Sequence, residues 1–212
     1  LADPALPARL QALAGGAPAS APLSLTLELG ARASDWLTAL PASGPFWYQA
    51  WPAQELFRLG IGHALQVGSA GANRFAALDN AFAGLAGAWR HNAPPLAFCG
   101  FAFDEQNPTP LANALLAIPA ILLEARQGRC RAILSTTAEK IPQAVAGWQK
   151  LFASPAPQAD FRLLPAKDHA LADRAWIARV RAALRDIGGG RVDKIVLARS
   201  RHLEADAPIP AG

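Results

Sequence analysis

Residues 23–29 read Leu-Ser-Leu-Thr-Leu-Glu-Leu, with leucine at every second position and polar residues between. Side chains alternate across a strand and recur every three to four residues on a helix, so this run specifies a half-buried β-strand. A strand cannot satisfy its own backbone groups, so the chain must build a sheet around it. The aromatic stretch Pro45–Trp51 and the stretch Glu55–Gly62 read as two further strands joined near Pro52 in a hairpin. Leu96–Phe103 is expected to be a buried strand. Ala117–Glu124 and Cys130–Thr136 are expected to pair through a turn at Gln127-Gly128.

Helical spacing appears in four other places. Leu6, Leu10 and Leu13 predict a helix within residues 3–14, with Pro4 and Pro7 near its start. Asp35–Leu40 reads as a short helix ended by Pro41. Phe75, Leu78, Phe82, Leu85 and Trp89 predict a helix over Asn73–Asn92 whose stripe packs into the core. Ile141–Leu151 is the fourth. Strands and helices do not alternate in a regular βαβ rhythm, so the fold class expected is α+β, an antiparallel sheet with packed helices. The Pro- and Ala-rich stretch 154–158 marks the expected internal boundary. It divides an N-terminal α+β region, residues 1–160, from a smaller segment, residues 161–212.

Several functions are disfavoured at this stage. Only 17% of the 212 residues are charged, and the net charge of +4 comes from scattered arginines rather than a basic block. A nucleic-acid partner is therefore not expected. The two charge-free stretches, 10–27 and 106–123, are each broken by prolines, so no membrane helix is expected and the chain reads as cytoplasmic. Cys99 and Cys130 lie in no metal-binding pattern and read as free thiols. His63, His91, His169 and His202 lack metal-ligand spacing to one another. Gly60-Ile-Gly62 completes no phosphate-loop pattern.

The segment from Asp168 onward carries more chemistry. Leu171, Trp176, Val180, Leu184 and Ile187 form the apolar stripe of a helix over Asp168–Gly190, and Gly188-Gly-Gly190 stops it. A strand is expected immediately after, over Val192–Arg199. Its two faces, Val192/Lys194/Val196/Ala198 and Asp193/Ile195/Leu197/Arg199, are both apolar in the middle, which predicts cover on both sides. Lys194 is the one charge on its face. Two readings apply: a lysine whose stem snorkels to solvent, or a desolvated amine able to act as a base near neutral pH.

The pattern Trp176, Val180, Ala183-Leu184, Ile187, Gly190 and Asp193-Lys-Ile-Val-Leu-Ala-Arg199 resembles the opening of the chorismate-binding domain of isochorismate synthases. Weaker matches run upstream in order: Pro45-Phe-Trp-Tyr-Gln49, Leu59-Gly-Ile-Gly62, Gly100-Phe-Ala-Phe-Asp104 and Ile118-Pro119. The resemblance implies the α/β sandwich of chorismate-utilising enzymes, here incomplete. It implies chorismate as substrate and Lys194 as the catalytic base that activates water for attack at C2 while the C4 hydroxyl leaves. It further implies a glutamate as acid toward that hydroxyl, and Mg2+ held by other glutamates on the substrate carboxylate, all of them expected in the part of the family's domain that follows these 212 residues. Related synthases that use ammonia do not carry this lysine; salicylate synthases do. The family's domain continues well beyond this motif, so the 212 residues are expected to be an N-terminal portion that is inactive alone. A non-catalytic module that binds a partner is the alternative. Whether the product feeds menaquinone, a siderophore or salicylate is left open by the resemblance.

Overall fold

The computed structural model describes residues 3–30, 45–104, 112–153, 162–164, 170–200 and 203–207. The expected helix at Asp35–Leu40 and the stretch 154–158 lie outside them. Contacts divide the chain into two units, residues 1–157 and 158–211. The fold is α+β, with antiparallel pairing dominant and helices packed on the sheets.

In the first unit, helix α1 (Leu6–Ala14) leads into strand β1 (Pro22–Leu29). Strands β2 (Phe46–Trp51) and β3 (Leu56–Ile61) form the expected hairpin around a short turn at Pro52–Gln54. Strand β4 (Leu65–Ser69), helix α2 (Arg74–Ala88) and strand β5 (Arg90–His91) follow. Strands β6 (Phe98–Phe101), β7 (Ala114–Ile118), β8 (Ile121–Arg126) and β9 (Arg129–Thr137) precede helix α3 (Ile141–Ala153). A six-stranded sheet has the order β2-β3-β8-β9-β1-β5, and a three-stranded sheet the order β4-β7-β6. The leucines of β1 alternate as the sequence requires: Leu23 and Leu25 join Leu59, Ile121, Leu123 and Leu134 on one face of the large sheet. Leu6 and Leu10 of α1 and Ile141, Val145 and Trp148 of α3 cover that face. Burying a side chain of this size stabilises the fold by about 1.5–3 kcal/mol before chain entropy is counted. Strand β1 is not half-buried as expected, because Ser24 and Thr26 on its other face are buried as well.

Where local pattern and tertiary contact conflict, tertiary contact decides. The helix expected over Asn73–Asn92 ends at Ala88, because the Trp89 indole is buried and donates to Ser24 Oγ at 2.9 Å. That hydroxyl in turn bonds Ser135 Oγ at 2.8 Å. Arg90 and His91 then pair in parallel with β1. Of the expected stripe, Leu78 and Trp89 are buried, whereas Phe75 and Phe82 stand 51% and 42% exposed. The stretch Ala117–Glu124 is not one strand. Pro119 has no N–H to continue a ladder, so β7 belongs to the small sheet and β8 to the large one. Of the expected buried strand Leu96–Phe103 only Phe98 is buried, with Leu96 and Ala97 half-buried against the core; Phe101 and Phe103 are exposed. The turn at Gln127-Gly128 forms as expected, with φ of 49° and 74° closing a two-residue hairpin.

Gly60 has a steric role. A Cβ there would stand 2.9 Å from Phe98 Cε2 and 3.1 Å from Pro119 Cβ. Phe98 is 3% exposed and stacks on Trp47 at 5.6 Å between centroids, so its ring has nowhere to go. Gly60→Val is expected to cost about 1–3 kcal/mol through overpacking, measured as a lower urea midpoint. An unchanged midpoint would mean that the ring of Phe98 moves freely. Among the described residues, no helix is long and apolar enough to cross a membrane.

Candidate functional site

The residue singled out by sequence, Lys194, follows helix α4 (Ala170–Gly188) in the second unit. The helix closes through Gly189 N–H to Arg185 C=O at 2.9 Å, Gly190 N–H to Ile187 C=O at 3.0 Å and Arg191 N–H to Asp186 C=O at 3.0 Å. Gly190 sits at φ +68°, the left-handed conformation a helix stop needs and a side chain disfavours. The glycine run therefore turns the chain back after the helix, as its sequence predicts.

The strand expected over Val192–Arg199 does not form. The segment pairs with no neighbour among the described residues, and Val192, Val196 and Leu197 are 40%, 81% and 37% exposed. Apolar alternation favours an extended chain, but a strand also needs another strand to take its hydrogen bonds. The segment is held to the helix instead. Arg191 ion-pairs with Asp186, and Arg199 with Asp173 in the first turn of α4. Ile195 is half-buried, whereas Val192, Val196 and Lys194 are exposed. Lys194 has no ion pair among the described residues. The cover expected on both sides is thus absent from the described residues. Three residues of the helix stripe are also bare, Leu171, Leu184 and Ile187 at 80%, 62% and 38% exposed, while Trp176 and Val180 are half-buried.

Of the four histidines, His63 and His91 lie among the described residues. His63 accepts a hydrogen bond from Trp47 Nε1 at 3.2 Å. Burial pulls its pKa below the ordinary value, against a hydrogen bond with Gln66 that works the other way. Among the described residues, no three His, Cys, Asp or Glu side chains are placed to hold a metal. The glutamates that the resemblance implies for Mg2+ are thus not assigned to any cluster of the described residues.

Sequence reasoning missed a second polar centre. Glu124 lies mid-strand in β8 between apolar neighbours, and its side chain is only 5% exposed. It accepts Arg58 Nε at 2.7 Å and Arg131 Nε at 2.8 Å from the two adjacent strands. Burial alone would raise the Glu124 pKa, but the two guanidiniums outweigh it and hold the carboxyl below its usual range. The local signal was an acid inside Ile121-Leu-Leu-Glu-Ala; its partners become visible only through strand register.

No curated protein matches the chain in sequence. Among solved structures, one similar chain is MenF, the menaquinone-specific isochorismate synthase from Escherichia coli, at 14% identity and a TM-score of 0.49. The likeness covers 77% of this chain and 36% of that one, so the chain spans about a third of the length of this relative. The sequence family of chorismate binding enzymes matches residues 19–211, from before β1 to past Lys194 and Arg199. The match takes in both units, and the chain belongs to the chorismate binding enzyme family.

Proposed function

We propose that the chain is part of an isochorismate synthase, with Lys194 as the base that activates water. The observation that carries this reading is Lys194 within Asp193–Arg199, inside the family match and pinned to α4 by the Asp186–Arg191 and Asp173–Arg199 pairs. The two pairs restrain the segment at both ends, which is what a positioned base requires. In the proposed reaction the amine of Lys194 takes a proton from water as the oxygen bonds to C2 of chorismate. The ring double bonds shift, and the C4 hydroxyl departs with a proton from an acid. For this, the outward face of the segment must be covered, because an amine in bulk water stays protonated near neutral pH. The bare valines beside Lys194 would supply an apolar lining once covered. Mg2+ belongs to the proposal as a requirement for turnover, and the cytoplasm as its location.

The test is product analysis. The full-length gene product is incubated with chorismate and Mg2+, with and without ammonium. Isochorismate is expected in both conditions. Anthranilate as the main product with ammonium would overturn the assignment, and salicylate would move it to the lysine-bearing salicylate synthases.

A further inference from the structure

The face of the large sheet turned away from α1 and α3 carries a row of polar side chains. Gln49, Arg58, Glu124, Arg131 and Glu28 stand in register across β2, β3, β8, β9 and β1. Glu124 occupies two of these guanidiniums, Arg58 and Arg131, at 2.7 Å each. One row closer to the hairpin tip, Arg126 and Arg129 are directly opposed across β8 and β9. Both are exposed, and neither makes an ion pair among the described residues. Like charges directly opposite in an antiparallel pair are destabilising. The register that buries Ile121 and Leu123 nevertheless fixes them there. Glu28, Glu124, Arg126, Gln127, Arg129 and Arg131 together line a cavity of about 500 Å3.

We propose that this cavity is an oxyanion site, taking one phosphate or carboxylate group of a small molecule between Arg126 and Arg129. Opposed residues in such a pair have Cβ atoms roughly 4.5–5.5 Å apart, so both guanidinium forks can donate to one oxyanion lodged between them. Planar guanidinium matches phosphate and carboxylate oxygens in pairs. Arg131 stands behind the two, fixed in place by Glu124. Glu28 and Glu124 on the inner side set the limit of the site: a broad polyanion such as a nucleic-acid backbone would meet two carboxylates. A single anionic group at the tip would not.

Thermal unfolding of the 212-residue chain tests this in millimolar inorganic phosphate against sodium chloride at matched ionic strength. Chorismate, which carries carboxylates, serves as a second probe. The expected result is a saturable rise in Tm with phosphate beyond that in chloride. In Arg126→Gln and in Arg129→Gln the apparent affinity should fall about tenfold or more. Arg179→Gln, which removes an exposed cation from α4, should keep the full response. A rise with chorismate that shows the same arginine dependence would assign the site to a carboxylate ligand; a rise with phosphate alone would assign it to a phosphorylated one. Equal effects of phosphate, chorismate and chloride would overturn the proposal. So would a response that survives both arginine substitutions. Neither substitution touches Glu124 or its ion pairs, and either variant alone decides the outcome if the other fails to fold.

Discussion

Glu124→Ala is expected to lower the stability of the 1–157 unit by about 3–5 kcal/mol, because removing one partner of a buried ion pair leaves charge uncompensated. Arg58 and Arg131 would face each other across β8 with no acid between them. They keep 19% and 31% of their side-chain surface, so some of the loss is recovered by hydration and the lower end of the range applies. Urea unfolding at neutral pH measures it; a change below about 1 kcal/mol would class the row as an ordinary solvated charge pattern. Replacing all three groups by aliphatic residues of similar size should restore most of the loss, since buried ionic groups seldom outperform apolar packing. The pH dependence follows from the depressed pKa of Glu124. A carboxyl held lower in the folded chain contributes stability above its unfolded pKa and loses it as pH falls through the folded one. The parent should therefore lose Tm progressively below its ordinary value of 4.5. In Glu124→Gln the contribution of this site to that slope disappears.

Lys194→Ala in the full-length enzyme is expected to lower kcat by about 10²–10⁴, the usual contribution of a general base. Lys194→Arg should not restore it, because guanidinium stays protonated and cannot accept a proton from water. KM should change less than kcat, since the substrate carboxylates would be held by other groups. In the 212-residue chain the side chain is exposed and has no ion pair among the described residues, so neither substitution should move the Tm of this chain. An arginine variant with near-parent kcat and unchanged circular dichroism would show that Lys194 only carries charge to solvent.

The readability of the chain depended on how local each determinant was. Strand β1, the β2–β3 hairpin, strand β9 with the Gln127-Gly128 turn before it and the helices α1, α3 and α4 are set by short-range periodicity and turn residues and were legible, whereas the division between β7 and β8 at Pro119 was not. The end of α2 was not, because the determinant is the Trp89–Ser24 hydrogen bond across 65 residues. Strand β4 escaped notice for a similar reason: Leu65–Ser69 is unremarkable in composition and is a strand because β7 pairs with it. The segment Val192–Arg199 failed in the opposite sense. Its sequence is strand-like, yet none of the described residues pairs with it. Lys194 was legible as a candidate from its motif, whereas the grouping of Glu124 with Arg58 and Arg131 needed the register of three strands.

The order of strands in the large sheet sets a timetable for synthesis. β1 leaves the ribosome well before its antiparallel partner β9, with Ser24 opposite Ser135, 111 residues later. At typical elongation rates of about 5–20 residues per second, β1 waits roughly 5–20 s for that partner. During that interval the only other strand paired with β1 among the described residues is the two-residue β5, so most of its backbone donors have no native ladder to join. Helix α1, its immediate predecessor, is the first element at hand to shelter Leu23 and Leu25. The nascent chain is therefore most exposed to mispairing between the emergence of Leu29 and that of Thr137, and slow codons or chaperone contacts in that window would affect yield more than any placed later.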